Sequence, residues 1–269
     1  MKIVLSESQY KRLIETEEEE QEVIEIPNLK IFGKRNGIAW MRLQELLEKR
    51  GNPPYSIGGD LYLYNTPIKS LGNLVFVGGD VDLRGTEIES LGKLKTVEGY
   101  LDLEGTPIES LGNLTSVYGF LDLGLTPIES LGDLTYVDGY LNLKGTPIKS
   151  LGNLQSVGEG LYLYNTPIKS LGNLKSVGGD LDLRKTPIKS LGNLQTVGEG
   201  LYLYDTPIKS LGNLKSVGRD LDLEGTPIES LGNLTSVGGN LGLGGTPISE
   251  KYSEEEIRQM VNVDGEIYF

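Results

Sequence analysis

The sequence predicts a mainly β, right-handed solenoid dominated by one sheet, with ten 20-residue coils between small α-helical caps at both ends. A 20-residue unit repeats without insertion or deletion from residue 61 to residue 248, and such a fixed period is typical of solenoids. The apolar residues keep the same positions in each unit, so successive units can stack around a shared interior. The units begin at Leu61, Val81, Leu101, Leu121, Leu141, Leu161, Leu181, Leu201, Leu221 and Leu241.

Each coil is predicted to contain a short strand, a Thr-Pro corner, an extended back side and a glycine corner. Leu161 and Leu163 flank one polar residue, which is the alternation of a half-buried strand. Pro167 has no donor N–H, so the strand ladder ends before it. The next apolar positions recur every three residues, which fits a polyproline-like or 3₁₀ path better than an α-helix. These positions are Ile168, Leu171, Leu174 and Val177, and the corner glycines are Gly178 and Gly179.

A threonine occupies the same position in every unit, from Thr66 to Thr246. One interpretation is that each hydroxyl satisfies backbone groups at the corner. The other is a threonine array that binds ice, which is disfavoured because each coil supplies one threonine and a proline usually follows it.

The segments flanking the repeat differ from it, as expected for caps that cover the open ends of a stack. We expect an N-terminal helical cap over residues 1–57, of which residues 1–26 can be flexible. The solenoid is expected over residues 58–248, and a C-terminal cap over residues 249–269.

Local patterns predict the elements of the N-terminal cap. Ser6 and Gln9 have the spacing of a capping box and predict a short helix. The run Glu17–Glu20 is interpreted as a solvated linker. A second helix is expected from about Ala39 to Arg50, with Trp40 on the apolar face that covers the end of the stack.

The C-terminal cap is predicted to contain a helix and a strand. Ser253 and Glu256 have capping-box spacing at the start of the helix. Gly265–Phe269 is expected to form a closing strand.

Composition excludes several kinds of chemistry. The 269 residues include no cysteine and no histidine, so disulfides, thiolate nucleophiles, imidazole bases and Cys/His zinc sites are ruled out. The net charge of −13 disfavours nucleic acid and anionic membranes as partners. No apolar run is long enough to span a bilayer, and the first residues do not resemble a signal peptide. We therefore expect a cytoplasmic or virion-associated protein without a cofactor.

The segment VGGDLDLRKTPIKSLGNL resembles leucine-rich repeats, whose conserved segment reads LxxLxLxxNxL. Leu181, Leu183 and Ile188 match three of its apolar positions, whereas Thr186 replaces its asparagine and Gly178 its leading leucine. Among leucine-rich repeats the fit is closer to the L-domain variety of receptor ectodomains, and the units also look like short repeats of bacteriophage and marine bacterial proteins. This resemblance implies a bacterial or phage context and a partner bound on the strand face. Because the asparagine ladder is missing, both a curved horseshoe and a straighter solenoid remain open.

The outward positions beside the strand leucines are rich in tyrosine and aspartate. Eight of the 14 tyrosines occupy them, and tyrosine offers a large contact area together with a hydroxyl group. One interpretation is a recognition surface, and the other is stabilisation between neighbouring strands. The candidate binding residues are Tyr62, Tyr64, Asp82, Arg84, Tyr100, Asp102, Phe120, Asp122, Tyr140, Tyr162, Tyr164, Asp180, Asp182, Tyr202, Tyr204, Asp220 and Asp222.

Asp82, Asp102 and Asp122 are expected on consecutive strands about 5 Å apart, where their charges repel. Calcium would relieve this repulsion, but Arg84 beside Asp82 is a simpler remedy, and no known calcium-binding repeat occurs. We therefore expect no metal.

A column of charges follows the proline corner of each coil. Its members are Glu89, Glu109, Glu129, Lys149, Lys169, Lys189, Lys209 and Glu229. One interpretation is solubilising charge that discourages strand addition at an edge. The other is lateral docking with a complementary partner or with a second copy of the chain.

The sequence favours a non-enzymatic scaffold that binds a protein partner through its Tyr/Asp-rich strand face. Carbohydrate binding is the alternative, since aromatic rings beside carboxylates suit sugar faces and hydroxyls. Catalysis by a carboxylate pair such as Asp180 and Asp182 is disfavoured, because nothing on an open repeated surface would separate their pKa values.

Overall fold

The computed structural model describes residues 22–32 and 36–269 and confirms a mainly β solenoid with helices near both ends. Its strands are short, all pair in parallel, and form two long sheets that run the length of the stack. The leucine, isoleucine and valine positions of the repeat lie between the sheets and are almost completely buried. Side chains at other positions therefore form columns along the outside.

Sheet A has 12 strands, and most of them end on a buried valine. They are β1 (Ile24–Ile26), β2 (Tyr55–Ile57), β4 (Leu74–Val77), β6 (Thr96–Val97), β8 (Ser116–Val117), β10 (Tyr136–Val137), β12 (Ser156–Val157), β14 (Ser176–Val177), β16 (Thr196–Val197), β18 (Ser216–Val217), β20 (Ser236–Val237) and β22 (Asn262–Val263).

Sheet B has 11 strands, and most of them begin with the first leucine of a repeat unit. They are β3 (Leu61–Tyr62), β5 (Val81–Asp82), β7 (Leu101–Asp102), β9 (Leu121–Asp122), β11 (Leu141–Asn142), β13 (Leu161–Tyr162), β15 (Leu181–Asp182), β17 (Leu201–Tyr202), β19 (Leu221–Asp222), β21 (Leu241–Gly242) and β23 (Ile267–Tyr268).

The expectation of one dominant sheet is corrected by sheet A, which lies on the predicted back side of the coil. Ser176 and Val177 pair with Ser156 and Val157 of the preceding coil, and Gly178 N–H donates to Val157 C=O at 2.9 Å. The three-residue apolar spacing hid these strands, because two extended residues are too few to show an alternating pattern. In a stack of equal coils, even two extended residues meet their counterparts and form a ladder.

The threonine column supports the backbone interpretation. From Thr86 to Thr246 these side chains are buried, and each hydroxyl donates to the carbonyl three residues earlier. The Thr146 hydroxyl, for example, lies 2.7 Å from Leu143 C=O. An ice-binding array is therefore wrong, because the buried hydroxyls do not face solvent.

The N-terminal end contains a 3₁₀ turn, Leu29–Phe32, and helix α1, Asn36–Glu48. This helix begins three residues before the expected Ala39, and its Trp40 is buried as predicted. Trp40 packs beside Tyr55, whose hydroxyl donates to Leu71 C=O at 2.7 Å and thereby links this end to the first coil. The helix expected at Ser6 and the linker Glu17–Glu20 lie outside the described residues.

The C-terminal end contains helix α2, Pro247–Lys251, and helix α3, Glu254–Met260. The predicted capping box is confirmed, with Ser253 N–H donating to Glu256 Oε2 at 2.8 Å. The predicted closing strand is β23, which pairs with β21, while β22 adds a strand to sheet A. No helix among the described residues is long and apolar enough to cross a bilayer.

The sheet B corner requires a left-handed backbone at the fifth position of the repeat. Glycine occupies it at Gly85, Gly105, Gly145, Gly225 and Gly245, where φ is 66–71°. Leu125 adopts the same conformation with φ of 59°, although its side chain is 69% exposed and has a Cβ that disfavours it.

Leu125→Gly should raise the free energy of unfolding by about 0.5–1 kcal/mol, because relief of the strain at Cβ exceeds the extra chain entropy of glycine. Leu125→Ala keeps Cβ and is the matched control, for which we expect little change. Chemical denaturation of the three proteins measures the difference. Equal stability of the Gly and Ala variants would contradict the strain at this corner.

Candidate functional site

The predicted binding residues lie together on the outer face of sheet B, in three columns. The column inside the strands contains Tyr62, Asp82, Asp102, Asp122, Tyr162, Asp182, Tyr202 and Asp222. The column before the strands contains Tyr100, Phe120, Tyr140, Asp180 and Asp220, and the column after them contains Tyr64, Arg84, Tyr164 and Tyr204. The parallel register places equivalent residues on neighbouring strands, as for Asp82, Asp102 and Asp122.

Three rings of the column before the strands stack face to face. Tyr100 and Phe120 have centroids 4.6 Å apart, and Phe120 and Tyr140 have centroids 4.7 Å apart, with interplanar angles of 4° and 2°. Tyr162 meets Tyr140 edge-on at 6.2 Å. The stacking distances match the spacing between strands, so these rings stabilise the sheet across its strands.

Two glycines make room for tyrosine rings that fold back over the backbone. A Cβ on Gly160 would lie 2.6 Å from the hydroxyl of Tyr162, and one on Gly200 would lie 2.5 Å from that of Tyr202. Burial raises the pKa of both tyrosines, and nearby aspartates such as Asp180 add to the increase. Both phenols therefore stay protonated at neutral pH and can donate hydrogen bonds.

The aspartates of the strand column cap their own corners. Each accepts a hydrogen bond from the backbone N–H two residues later, and the five are Asp82, Asp102, Asp122, Asp182 and Asp222. This local bond is typical of aspartate and asparagine at turns.

Asp180 and Asp220 link neighbouring coils. Asp180 accepts from Gly200 N–H at 2.8 Å, and Asp220 accepts from Asn240 N–H at 2.7 Å. Among the described residues, no buried side-chain nitrogen or oxygen lacks a hydrogen-bond partner. The carboxylates of this face thus have structural partners already.

The row of three consecutive aspartates is held by neighbouring side chains. Arg84 contacts Asp82 Oδ2 through Nη2 at 2.7 Å and Asp102 Oδ2 through Nε at 3.1 Å, as the sequence suggested. Asn142, which sequence reasoning missed, donates to both oxygens of Asp122 at 3.0 and 3.1 Å. No group of acidic side chains in the described part of the chain has an arrangement that could hold a metal ion.

Arg184 organises a second part of the face. It binds Asp182 through Nη2 at 2.6 Å, and its guanidinium lies 5.8 Å from the Tyr164 ring centroid and 5.6 Å from that of Tyr202. Lys144 and Lys185 also approach the Tyr164 ring, at 5.6 and 5.7 Å. Arg184 was not predicted, although it occupies the same repeat position as Arg84 and that equivalence could have identified it.

We call the following group the Tyr/Arg cluster: Tyr162, Tyr164, Arg184, Tyr202 and Tyr204. Tyr204 is 39% exposed, while Tyr164 and Tyr202 are partly buried. The cluster combines rings held by cation–π contacts with solvent-accessible phenol groups.

A cleft of about 380 Å³ opens at the C-terminal end of the same face. Tyr202 and Tyr268 lie on its two sides, three strands apart, and Gly242 and Gly244 leave space between them. The remaining lining residues that carry polar or aromatic side chains are Asp220, Asp222, Glu224, Asn240 and Phe269. Tyr268 and Phe269 were missed because they belong to the cap rather than to the repeat.

Comparisons with protein-family models, with curated proteins and with solved structures gave no match to this chain.

Asp102 is the most crowded carboxylate of this face, with Asp82 and Asp122 on both neighbouring strands. Burial raises its pKa, and the charges of Asp122 and Asp82 add to the increase, whereas the Glu104 N–H and Arg84 oppose it. A carboxyl with a raised pKa in the folded state stabilises the fold when protonated, and this stabilisation is lost as pH rises through the folded pKa.

Asp102→Asn should therefore raise the free energy of unfolding by roughly 0.5–1 kcal/mol at pH 7. It removes a buried charge and its repulsion by Asp82 and Asp122, which outweighs the lost ion pair with Arg84, while Oδ1 can still accept the Glu104 N–H. The gain should shrink as pH falls and wild-type Asp102 becomes protonated. Asp222→Asn is the matched control, since Asp222 lies between Tyr202 and Gly242. Urea denaturation at several pH values tests this, and an equal gain in both variants would refute the repulsion.

Proposed function

We propose that this protein is a non-enzymatic scaffold that binds a protein partner through the outer face of sheet B. The observation that carries the proposal is the Tyr/Arg cluster, in which Arg184 is fixed between the rings of Tyr164 and Tyr202. Tyrosine and arginine are the residue types that most often dominate the energy of protein interfaces.

The cluster is also largely ordered before binding. Arg184 is held by Asp182, and the Tyr202 ring folds over Gly200, so little side-chain entropy remains to be lost. Tyr204 and Tyr64 remain exposed and can contribute contact area. Preorganised rings beside a fixed cation favour recognition of a protein surface over catalysis.

The carboxylates support the same interpretation. Asp180 and Asp182, the pair considered for acid–base chemistry, accept bonds from Gly200 N–H and Arg184. Both therefore serve to hold the backbone and the cluster. Asp182 is buried beside Arg184 and Asp180 is half-buried, so these structural bonds already occupy both carboxylates.

We further propose that the solenoid is leucine-rich-repeat-like and acts in the cytoplasm of a bacterial host or on a virion. The buried threonine supports this kinship, because it binds backbone at the corner where leucine-rich repeats carry their asparagine. The net charge of −13 favours a protein partner over nucleic acid or an anionic membrane.

Changing Tyr164 and Tyr204 to serine should weaken partner binding roughly 30-fold, which corresponds to loss of about 2 kcal/mol of contact energy. The matched control is serine at Tyr118 and Tyr136, two tyrosines that contact each other at the opposite sheet. Affinity capture from lysate of the source organism, followed by titration of the captured protein, measures the effect. Equal binding by both variants would exclude this face, and circular dichroism verifies that both fold.

Carbohydrate binding is the second candidate, and the cleft between Tyr202 and Tyr268 favours it. Aromatic walls suit the apolar faces of a sugar ring, while Asp220, Asp222 and Asn240 offer polar groups for its hydroxyls. The volume of about 380 Å³ suits a short saccharide.

If this second function holds, a glycan array should show binding by the wild-type protein that Tyr268→Ser abolishes. Tyr268 is 57% exposed and lines the cleft, so its loss removes one wall. Tyr64→Ser is the matched control, because Tyr64 is 54% exposed on the same sheet but lies at its opposite end. Absence of any bound glycan would eliminate the carbohydrate candidate and leave the protein-binding proposal standing.

A further inference from the structure

The charged column after the proline corner is a continuous ladder on the surface. Lys69 occupies the same position in the first unit and adds a ninth member to the eight recognised from the sequence. These nine exposed residues, which we call the edge column, are Lys69, Glu89, Glu109, Glu129, Lys149, Lys169, Lys189, Lys209 and Glu229. The backbone joins consecutive members directly, since Glu109 N–H donates to Glu89 C=O at 2.9 Å and Lys149 N–H donates to Glu129 C=O at 2.8 Å. Successive backbone positions of the column are therefore about 4.8 Å apart.

Ion pairs within the column form at two of its three changes of sign, whereas Lys69 pairs with Glu87, outside the column, at 3.2 Å. Lys149 binds Glu129 at 2.6 Å and Lys209 binds Glu229 at 2.8 Å. Among the described residues, Glu109 and Lys189 form no ion pair, because their neighbours along the column carry the same sign. Blocks of unpaired like charge remain on an exposed edge.

The order of signs has a property that single charges do not reveal. Two column residues that lie the same number of coils before and after Lys149 always have opposite charge, and this holds for all four such pairs. The four pairs are Glu129 with Lys169, Glu109 with Lys189, Glu89 with Lys209, and Lys69 with Glu229. A second copy turned end over end would thus present the complementary charge at eight of nine positions.

We propose that two copies of this chain associate side by side and antiparallel through the edge column, about a two-fold axis at Lys149. In this arrangement Glu109 faces Lys189 of the second copy, and the symmetry repeats that contact. Lys149 faces its own equivalent, and Glu129 at 2.6 Å in each copy offsets that repulsion. The inference is independent of the proposed function, because the column is separate from the Tyr/Arg cluster.

The charge pattern also selects the orientation and the register. Parallel copies in register would place every charge opposite its own equivalent, so all nine contacts would repel, and parallel copies shifted by three coils would have only five attractive contacts. A shift of one coil in one direction sets Lys69 against Lys209, and a shift in the other sets Lys149 against Lys169. The unshifted antiparallel pairing has the most attractive contacts and overlaps the whole column.

Sedimentation equilibrium from about 10 µM to about 1 mM tests the proposal, since exposed ion pairs are individually weak. We expect a dimer in about 20 mM salt whose dissociation constant rises at least tenfold in about 500 mM salt, where screening is strong. A monomer throughout, or a dimer indifferent to salt, would overturn the proposal. If the edge column instead binds a different charged protein, this chain alone should remain monomeric at every concentration.

Charge reversal then tests the register. Glu109→Lys and Lys189→Glu should each weaken the dimer about tenfold, because each makes two symmetric contacts repulsive. The double variant should return to within about threefold of the wild type, since the two reversed residues face each other. Both single changes introduce the sign opposite to their neighbours within the column, so neither should impair folding.

Lys175→Glu is the matched control. It makes the same change of charge on an exposed residue beside sheet A and should leave the dissociation constant unchanged. Failure of the double variant to recover, or equal weakening by Lys175→Glu, would refute the pairing of residue 109 with residue 189.

Discussion

The whole molecule depends on hydrogen bonding between equivalent backbone positions of successive coils. One coil cannot satisfy its own extended backbone, and each must use the coil before it and the coil after it. The bonds from Leu161 N–H to Asp180 C=O and from Gly178 N–H to Val157 C=O repeat, with few changes, along both sheets. Within the repeat this pairing keeps a 20-residue period, whereas the C-terminal coil, which contains α2 and α3, pairs Leu241 with Ile267 and so extends the spacing at a corner without losing either sheet. Any residue position therefore becomes a column with a spacing fixed by the backbone.

A column changes the physical meaning of a residue, because each side chain meets copies of itself. A buried threonine suits such a place, since its hydroxyl binds the backbone of its own coil and needs no neighbour. Aspartate is harder to repeat, because adjacent carboxylates repel. The chain reduces this conflict with Arg84 between Asp82 and Asp102 and with Asn142 beside Asp122. The residues Arg84 and Asn142 are therefore explained by electrostatics within the sheet, before any partner is considered.

Features that depend on residues adjacent in sequence could be predicted, and features that depend on neighbouring coils could not. The strand at Leu161, the corner at Thr166 and the capped helix at Ser253 each follow from a local pattern. The strand Ser176–Val177 exists only because equal coils bring it to its counterpart, so its own sequence carries little signal. The outer face of sheet B could be located from the sequence, because polar and apolar residues alternate along its strands. The fold of Tyr162 over Gly160 and the role of aspartates as caps required coordinates.

The columns on the surface thus differ in how many contacts their side chains already make within the protein. The strand-column aspartates accept hydrogen bonds from the backbone, and the rings of Tyr100, Phe120 and Tyr140 stack on one another. These groups therefore have little left to gain from binding a ligand. Columns further from the strand axis, which contain Tyr204 and the edge charges, have exposed side chains with fewer partners. Selection for binding can act on these outer columns without disturbing the ladder, since substitutions there break no backbone bond. A regular solenoid with a fixed core can therefore carry an asymmetric sequence of charges, and that asymmetry allows a repeated surface to specify direction and register.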